Sequence, residues 1–225
     1  MENQHISFWG RSFDEYSSMF NLKNMGTSTK VLSVADGPST FNLEARERGI
    51  SVRSVDPRYG LHVEDLRTTF AESYQFNKDL FYRNKKQFVF ESDVQREETL
   101  MSRRGTFERF LRDFSKYSGE FYKPGALPFL NFGPSEFDMV LCSNLLFIFD
   151  HVLDLDFHLA AVDEMLRVGG EVRIFPIYDI AGKLSTNLFP VLQHLTAMEY
   201  LWSVEFNSYH VFRNGNRLLR IVRPT

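Results

Sequence analysis

Apolar and polar positions along this chain change period several times, and each change marks an element. Phe13, Tyr16, Met19 and Phe20 recur at spacings of three and four, which predicts an amphipathic helix. Ser12 with Glu15 three residues on is a capping-box pattern at its start. Val31 to Val34 read as a buried strand, Ala35 to Ser39 as a turn of small residues, and about Thr40 to Arg48 as a helix. Ser51 to Val55 form a second strand that ends in Asp56. From about Gly60 to Gly119 the pattern is polar, dotted with aromatics and free of proline, which predicts several helices. That stretch is longer than an ordinary connection between strands, so it reads as an insertion.

The strand–helix alternation then resumes. GEFYKPGALPFLNF holds a short strand and a loop, and Met139 to Cys142 form a buried strand. Asp154 or Asp156 can cap the helix that follows, and Gly169 and Gly170 stop it. EVRIFPIY is another strand, and about Thr186 to Tyr200 are helical. VEFNSYHVF and RLLRIV, joined by RNGN, predict a closing hairpin, since Asn-Gly between β runs favours a tight turn. Such an order implies an α/β fold with a mostly parallel sheet and an antiparallel tail. Ligands in these sheets bind beyond the carboxyl ends of the strands, where strand order reverses. The turns after Val34, Val55, Tyr122 and Cys142 are expected to face that crevice.

Chemistry enters with Asp56. An acid at the tip of the second strand, about twenty residues past a glycine-bearing first turn, is how an α/β sheet grips a ribose. A carboxylate accepts from both ribose hydroxyls, and small residues in the turn let the backbone come close. Asp56 before Pro57 also fits a simple turn. Composition narrows the picture. The 225 residues suffice for one α/β domain over 1–225, with an N-terminal lid helix in 1–29 and the insertion, a cap, in 60–119. A net charge of -3 argues against a globally basic nucleic-acid surface. A single cysteine, Cys142, excludes an intrachain disulfide and fits a reducing compartment. The absence of a membrane-length apolar run or a leader-like N-terminus points to a cytoplasmic protein without membrane association.

Other clusters weigh less. His5, His62, His151, His158, His194 and His210 are scattered, with no metal-binding spacing. Arg103, Arg104, Arg109 and Arg112 lie among Glu97, Glu98, Glu108 and Asp113, which reads as a solvated helix face. Tyr82 and Lys86 match a Tyr-x-x-x-Lys spacing, but the first turn lacks the glycines a pyrophosphate needs.

Four segments together resemble class I S-adenosylmethionine-dependent methyltransferases: VLSVADGPS as the first motif, SVDP as the second-strand acid, FDMVLCSNLLFIF as the fourth-strand motif, and EMLRVGGEVRIFP as the unit leading into strand five. More narrowly, the chain is similar to a group of bacterial methyltransferase-like proteins without an assigned substrate. The resemblance implies a Rossmann-like, doubly wound, mostly parallel seven-stranded sheet with an antiparallel C-terminal hairpin and a helical insertion after strand 2. It implies S-adenosylmethionine as cofactor, S-adenosylhomocysteine as product, and a small or medium acceptor molecule. In this chain the family's first-motif acid falls on Ser33, its first glycine on Ala35 and its third on Ser39, with Gly37 retained. The implied cofactor residues are Arg11 for a carboxylate, Ala35, Asp36 and Gly37 beneath the methionine, Asp56 with Pro57 at the ribose, Ala126 and Leu127 at adenine, and Cys142 and Ser143, with Asn144, near the methyl group. Two other readings share the fold: a catalytically inactive binding protein with a degraded pocket, and a nicotinamide-dependent reductase.

Overall fold

A computed structural model describes every residue except 1–5, 24, 210, 212, 214 and 225, so His5 and His210 lie outside the described residues. Its centre is a seven-stranded sheet in the order β3-β2-β1-β4-β5-β7-β6. In chain order the elements are α1 (Phe13–Phe20), β1 (Lys30–Val34), α2 (Phe41–Glu47), β2 (Ser51–Val55), α3 (Val63–Arg83), α4 (Asp93–Tyr117), β3 (Tyr122–Lys123), β4 (Phe137–Ser143), α5 (Leu155–Val168), β5 (Gly169–Phe175), α6 (Leu188–Ala197), β6 (Leu201–Phe206) and β7 (Arg217–Val222). β3, β2, β1, β4 and β5 run parallel, and β7 pairs antiparallel with both β5 and β6. The doubly wound, mostly parallel sheet expected from the sequence is what forms, and its order reverses between β1 and β4.

Alternation along the strands builds two cores. Leu32, Val34, Val140 and Cys142 face one way and pack with Ala161, Val162 and Met165 of α5. Val31, Met139 and Leu141 face the other way and pack with Tyr16, Met19 and Phe20 of α1 and Phe41 and Ala45 of α2. This period of two is what a strand buried on both faces requires. A third cluster, almost wholly aromatic, joins α3 to α4 and includes Phe70 stacked on Phe107 at 3.9 Å between ring centroids. The insertion thus carries its own core.

Local signals set several boundaries. Ser12 and Glu15 form the reciprocal capping box at α1. Asp154, rather than Asp156, caps α5 by accepting from Phe157 N at 2.8 Å. Gly169 does not end α5 through a left-handed backbone, since its φ is -130°. A side chain there would meet Val140 Cγ2 at 2.4 Å, so the glycine serves a close crossing over β4. The closing strands pair antiparallel as expected, with Leu201 opposite Val222 and Phe206 opposite Arg217, but their bounds differ. β6 begins at Leu201 and ends at Phe206, before the 208–212 part of the expected run, and β7 begins at Arg217; Asn214 of the expected RNGN turn lies outside the described residues. At the end of β6, Asn207 N still donates to Asn216 O at 3.0 Å, while its side-chain amide donates to Met19 O at 2.8 Å and its side-chain oxygen accepts from Tyr209 N at 3.1 Å. The connection then docks on the insertion, with Val89 N donating to Val211 O and Arg213 N to Gln87 O.

Candidate functional site

The carboxyl ends of β1, β2, β4 and β5 open into one cleft. Ala35, Asp36, Gly37 and Asp56 line its floor, with Ser143 and Asn144 at the end of β4. Arg11, Trp9 and Ile6 of the N-terminal segment, Leu80 and Phe81 of α3, and Arg103 of α4 line the sides and roof. The connection from β6 to β7 closes the remaining side through Tyr209 and Val211.

The floor is held by hydrogen bonds that the register of the sheet makes available. β1 and β2 pair Ser33 with Ser54. Asp36, folded back just past β1, accepts from both hydroxyls, at 2.8 Å from Ser33 Oγ and 2.5 Å from Ser54 Oγ. The Tyr16 hydroxyl of α1 donates to the same carboxylate at 2.5 Å. Asp36 is almost wholly enclosed, and its hydrogen-bond donors among the described residues are hydroxyls. Burial pushes its carboxyl up from 3.8 to about 6, against the pull of the three hydroxyl donors, and the nearby charge of Asp56 adds to the rise. Ala35 and Gly37 flank it with φ of 54° and 57°. Gly37 adopts this left-handed backbone freely, whereas Ala35 does so at a cost of about 1–2 kcal/mol.

Asp56 closes the floor from the other strand. Its Oδ2 accepts from Gly37 N at 3.1 Å and its Oδ1 from Arg58 N at 2.9 Å. Burial raises this carboxyl, while the Arg58 guanidinium and the two backbone N–H groups pull it back. Tyr59 donates its hydroxyl to Gly37 O at 2.6 Å, so the loop is gripped on both sides. An ionised carboxylate offers about four lone-pair sites. Asp56 has one bond to each oxygen in the hydrogen bonds described above, which leaves about two sites for a ligand.

Above the floor, the N-terminal segment is strapped over the first loop. Arg11 O accepts from Thr40 N at 3.0 Å and from Ser39 Oγ at 2.7 Å. Phe8 N donates to Ser73 Oγ at 2.9 Å. Gly10 presses on the loop so closely that a Cβ there would lie 1.9 Å from Pro38 O. Arg103 forms a two-pronged ion pair with Glu15 and also donates to Gly10 O at 3.1 Å. Burial alone would raise the Glu15 carboxyl, but the charge and hydrogen bonds of Arg103, with help from Arg11, hold it down at about 2. Arg11 donates to three neutral acceptors: Trp9 O, Asn144 Oδ1 and Tyr209 Oη.

Of the residues singled out in the sequence, Arg11, Ala35, Asp36, Gly37, Asp56 and Ser143 meet in this cleft. Pro57, Ala126, Leu127 and Cys142 are not among its lining residues. Pro57 and Ala126 are exposed, and Leu127 packs into the core beside α5. Cys142 is fully buried in that same core, because its place in the β4 alternation turns it away from the opposite sheet face. Burial pushes its thiol up to about 12. The basic cluster on α4 is not a solvated face throughout: Arg103 is buried in the roof, and Arg109 pairs with Glu44. Trp9, Arg103 and Tyr209 lacked any local signal, since each reaches the cleft by long-range packing. Tyr82 spends its hydroxyl on Glu97 at 2.7 Å, outside the cleft. Among the described residues no group of three or more His, Cys, Asp or Glu is arranged to hold a metal ion, and no helix is long and apolar enough to cross a membrane.

No family model matches the sequence. The uncharacterized protein MJ0045 of Methanocaldococcus jannaschii is 33% identical over 215 residues, covering 95% of each chain. Among solved structures, the chain is similar to the magnesium protoporphyrin IX methyltransferase of Synechocystis PCC 6803, with a TM-score of 0.51 and 10% identity over 94% of this chain and 78% of that one. It also aligns with the N-methyltransferase NodS of Bradyrhizobium japonicum at a TM-score of 0.47 and 10% identity, over 88% of this chain and 86% of that one.

Proposed function

This chain belongs to one family with the Methanocaldococcus jannaschii protein and carries the class I methyltransferase fold, and from that premise we propose that it is an S-adenosylmethionine-dependent methyltransferase acting on a small-molecule acceptor. The observation that carries the reading is the meeting of two groups on one floor. The backbone of Ala35 to Gly37 and the carboxylate of Asp56 face the same cleft at the reversal of strand order, tied by the Gly37 N to Asp56 Oδ2 bond. The residues fit a nucleoside with an amino-acid tail, because Asp56 retains lone pairs for two ribose hydroxyls and Gly37 offers a backbone with no side chain in the way. The magnesium protoporphyrin IX methyltransferase neighbour was crystallised with bound SAM, which agrees with a cofactor site in this architecture.

In this reading Asp56 holds the ribose, and Arg11 directs its remaining N–H groups at the cofactor carboxylate. Asp36 keeps the first loop in shape from below, through Ser33 and Ser54. Ser143 and Asn144 border the place where the acceptor approaches. When bound, the sulfonium supplies a methyl group already activated by positive charge. The protein then acts by holding donor and acceptor in line and by excluding water. The strap of residues 6–11, α3 and α4 serve as the cover that does so.

Thermal unfolding of the purified protein with S-adenosylmethionine, S-adenosylhomocysteine or NAD tests the proposal. A ligand at about 100 times its Kd adds about 2.7 kcal/mol to stability. That corresponds to a rise in Tm of about 5 °C or more for a chain of this size. The proposal expects the rise with the two sulfur nucleosides and not with NAD.

A further inference from the structure

Beyond the floor, the cleft is lined by groups that define what else it takes. Its apolar lining includes Trp9, Leu80, Phe81, Ile148, Phe149 and Ile180, contributed by four separate chain segments. Trp9 is fixed by ring contacts to Phe70 at 6.4 Å, Tyr74 at 6.0 Å and Phe81 at 6.3 Å, so this wall is preformed. The polar groups among it are unusually rich in donors. Arg11 gives its hydrogen bonds only to neutral oxygens and retains about two N–H groups. Arg58 lines the cleft, donates to Ile6 O at 2.5 Å and lies over the Phe8 ring at 5.3 Å; its charge acts on Asp56, but among the described residues no carboxylate is hydrogen-bonded to its side chain. Arg103 lines the roof, and its buried Nε–H has no hydrogen-bond partner among the described residues.

The carboxylates are placed otherwise. Asp36 and Asp56, the acidic residues among the described lining, both sit on the floor and are engaged by their own loops. Glu15 is consumed by Arg103. The lining therefore joins an apolar wall to guanidinium N–H groups that the described hydrogen bonds leave over. Such a surface favours an apolar body ending in an anion. It disfavours an amine, whose ammonium has no lone pair to accept from these N–H groups.

Resting on the methyltransferase reading above, we infer that the acceptor is a small, largely apolar organic anion, whose body lies against Trp9, Leu80 and Phe149 and whose carboxylate-like end meets Arg58. Arg58 serves in this role because Arg11 is directed at the cofactor and both Nη groups of Arg103 are committed to Glu15.

The test uses the full chain saturated with S-adenosylhomocysteine and titrated by calorimetry with matched probes: 2-naphthoate and decanoate, 2-naphthylmethylamine and decylamine, and 2-naphthol. The carboxylates are expected to bind at least tenfold tighter than the amines of the same body. Arg58→Gln should weaken carboxylate binding about tenfold while leaving the S-adenosylhomocysteine affinity within threefold. Leu80→Glu, which puts a carboxylate in the wall, should abolish carboxylate binding in a chain that still binds S-adenosylhomocysteine. Amines binding as well as carboxylates, or no carboxylate binding in the saturated protein, overturns the acceptor assignment alone. Failure of S-adenosylhomocysteine itself to bind in the first titration removes the methyltransferase reading, and this inference with it.

Discussion

The Tyr16 hydroxyl donates to Asp36 Oδ1 at 2.5 Å, which ties α1 to the loop that follows β1. Both groups are buried, so the bond has no water to replace it. Tyr16→Phe removes one of three donors to a buried carboxylate and should cost about 1–3 kcal/mol. Urea denaturation at neutral pH reads this directly. A loss below about 0.5 kcal/mol would mean that Ser33 and Ser54 alone satisfy Asp36.

Stability should also depend on pH through the same carboxylate. The folded pKa of Asp36 is raised to about 6 from 3.8, so the native state favours the protonated form. The stability it contributes is full below pH about 3.8 and is lost as pH rises through about 6. Asp56 is raised by burial as well and acts in the same direction. Glu15 works oppositely: held down at about 2, it contributes above its ordinary value of 4.5 and is lost as pH falls toward 2. Urea midpoints should therefore peak in mildly acidic solution, and Asp36→Asn should shrink the decline between pH 4.5 and 7. An unchanged decline in that variant would assign the effect to other groups.

Ala35 holds a φ of 54° that a side chain makes costly. Ala35→Gly relieves this strain but frees the unfolded chain, an opposing term of about 0.4–1 kcal/mol. The expected result is a Tm unchanged or raised by a few degrees. Ala35→Val, with a β-branched side chain in the same backbone, should lower it clearly. Differential scanning calorimetry of the two variants compares them, and a destabilised glycine variant would contradict the strained geometry.

Gly10 allows the N-terminal strap to lie on Pro38. Gly10→Ala must push the strap and the first loop apart. An overpacked contact of this kind costs about 1–3 kcal/mol. If the strap covers the cofactor, the variant should also bind S-adenosylhomocysteine more weakly than wild type by several-fold. Lower stability with unchanged affinity would make the strap structural only.

How far the sequence foretold this arrangement depends on the range of each interaction. The Ser12–Glu15 box and the Asp154 cap are local, and local pattern was enough to find them. The strands and the sheet class follow from period-two alternation and its breaks. Asp56 was visible because a strand tip and a turn lie close together in sequence. What escaped notice acts across the chain. The three donors to Asp36 come from α1, β1 and β2, and only the Ser33–Ser54 register brings two of them together. Arg103 reaches Glu15 across 88 positions. The closing hairpin follows from its two β runs, whereas the Asn207 bond to Met19 at the end of β6 depends on α1 already being packed. The family resemblance implies Cys142 near the methyl group, whereas its side of β4 decides that it faces the core.

The most direct measurement is calorimetric titration of S-adenosylhomocysteine into the wild-type chain and into Asp56→Ala, with circular dichroism to verify that the variant is folded. A hydrogen bond to a charged group is worth about 1.5–3 kcal/mol. The account predicts saturable one-to-one binding by the wild type and a Kd at least tenfold higher in the variant. Equal affinity in the two proteins would contradict the claim that Asp56 and the first loop grip a single nucleoside.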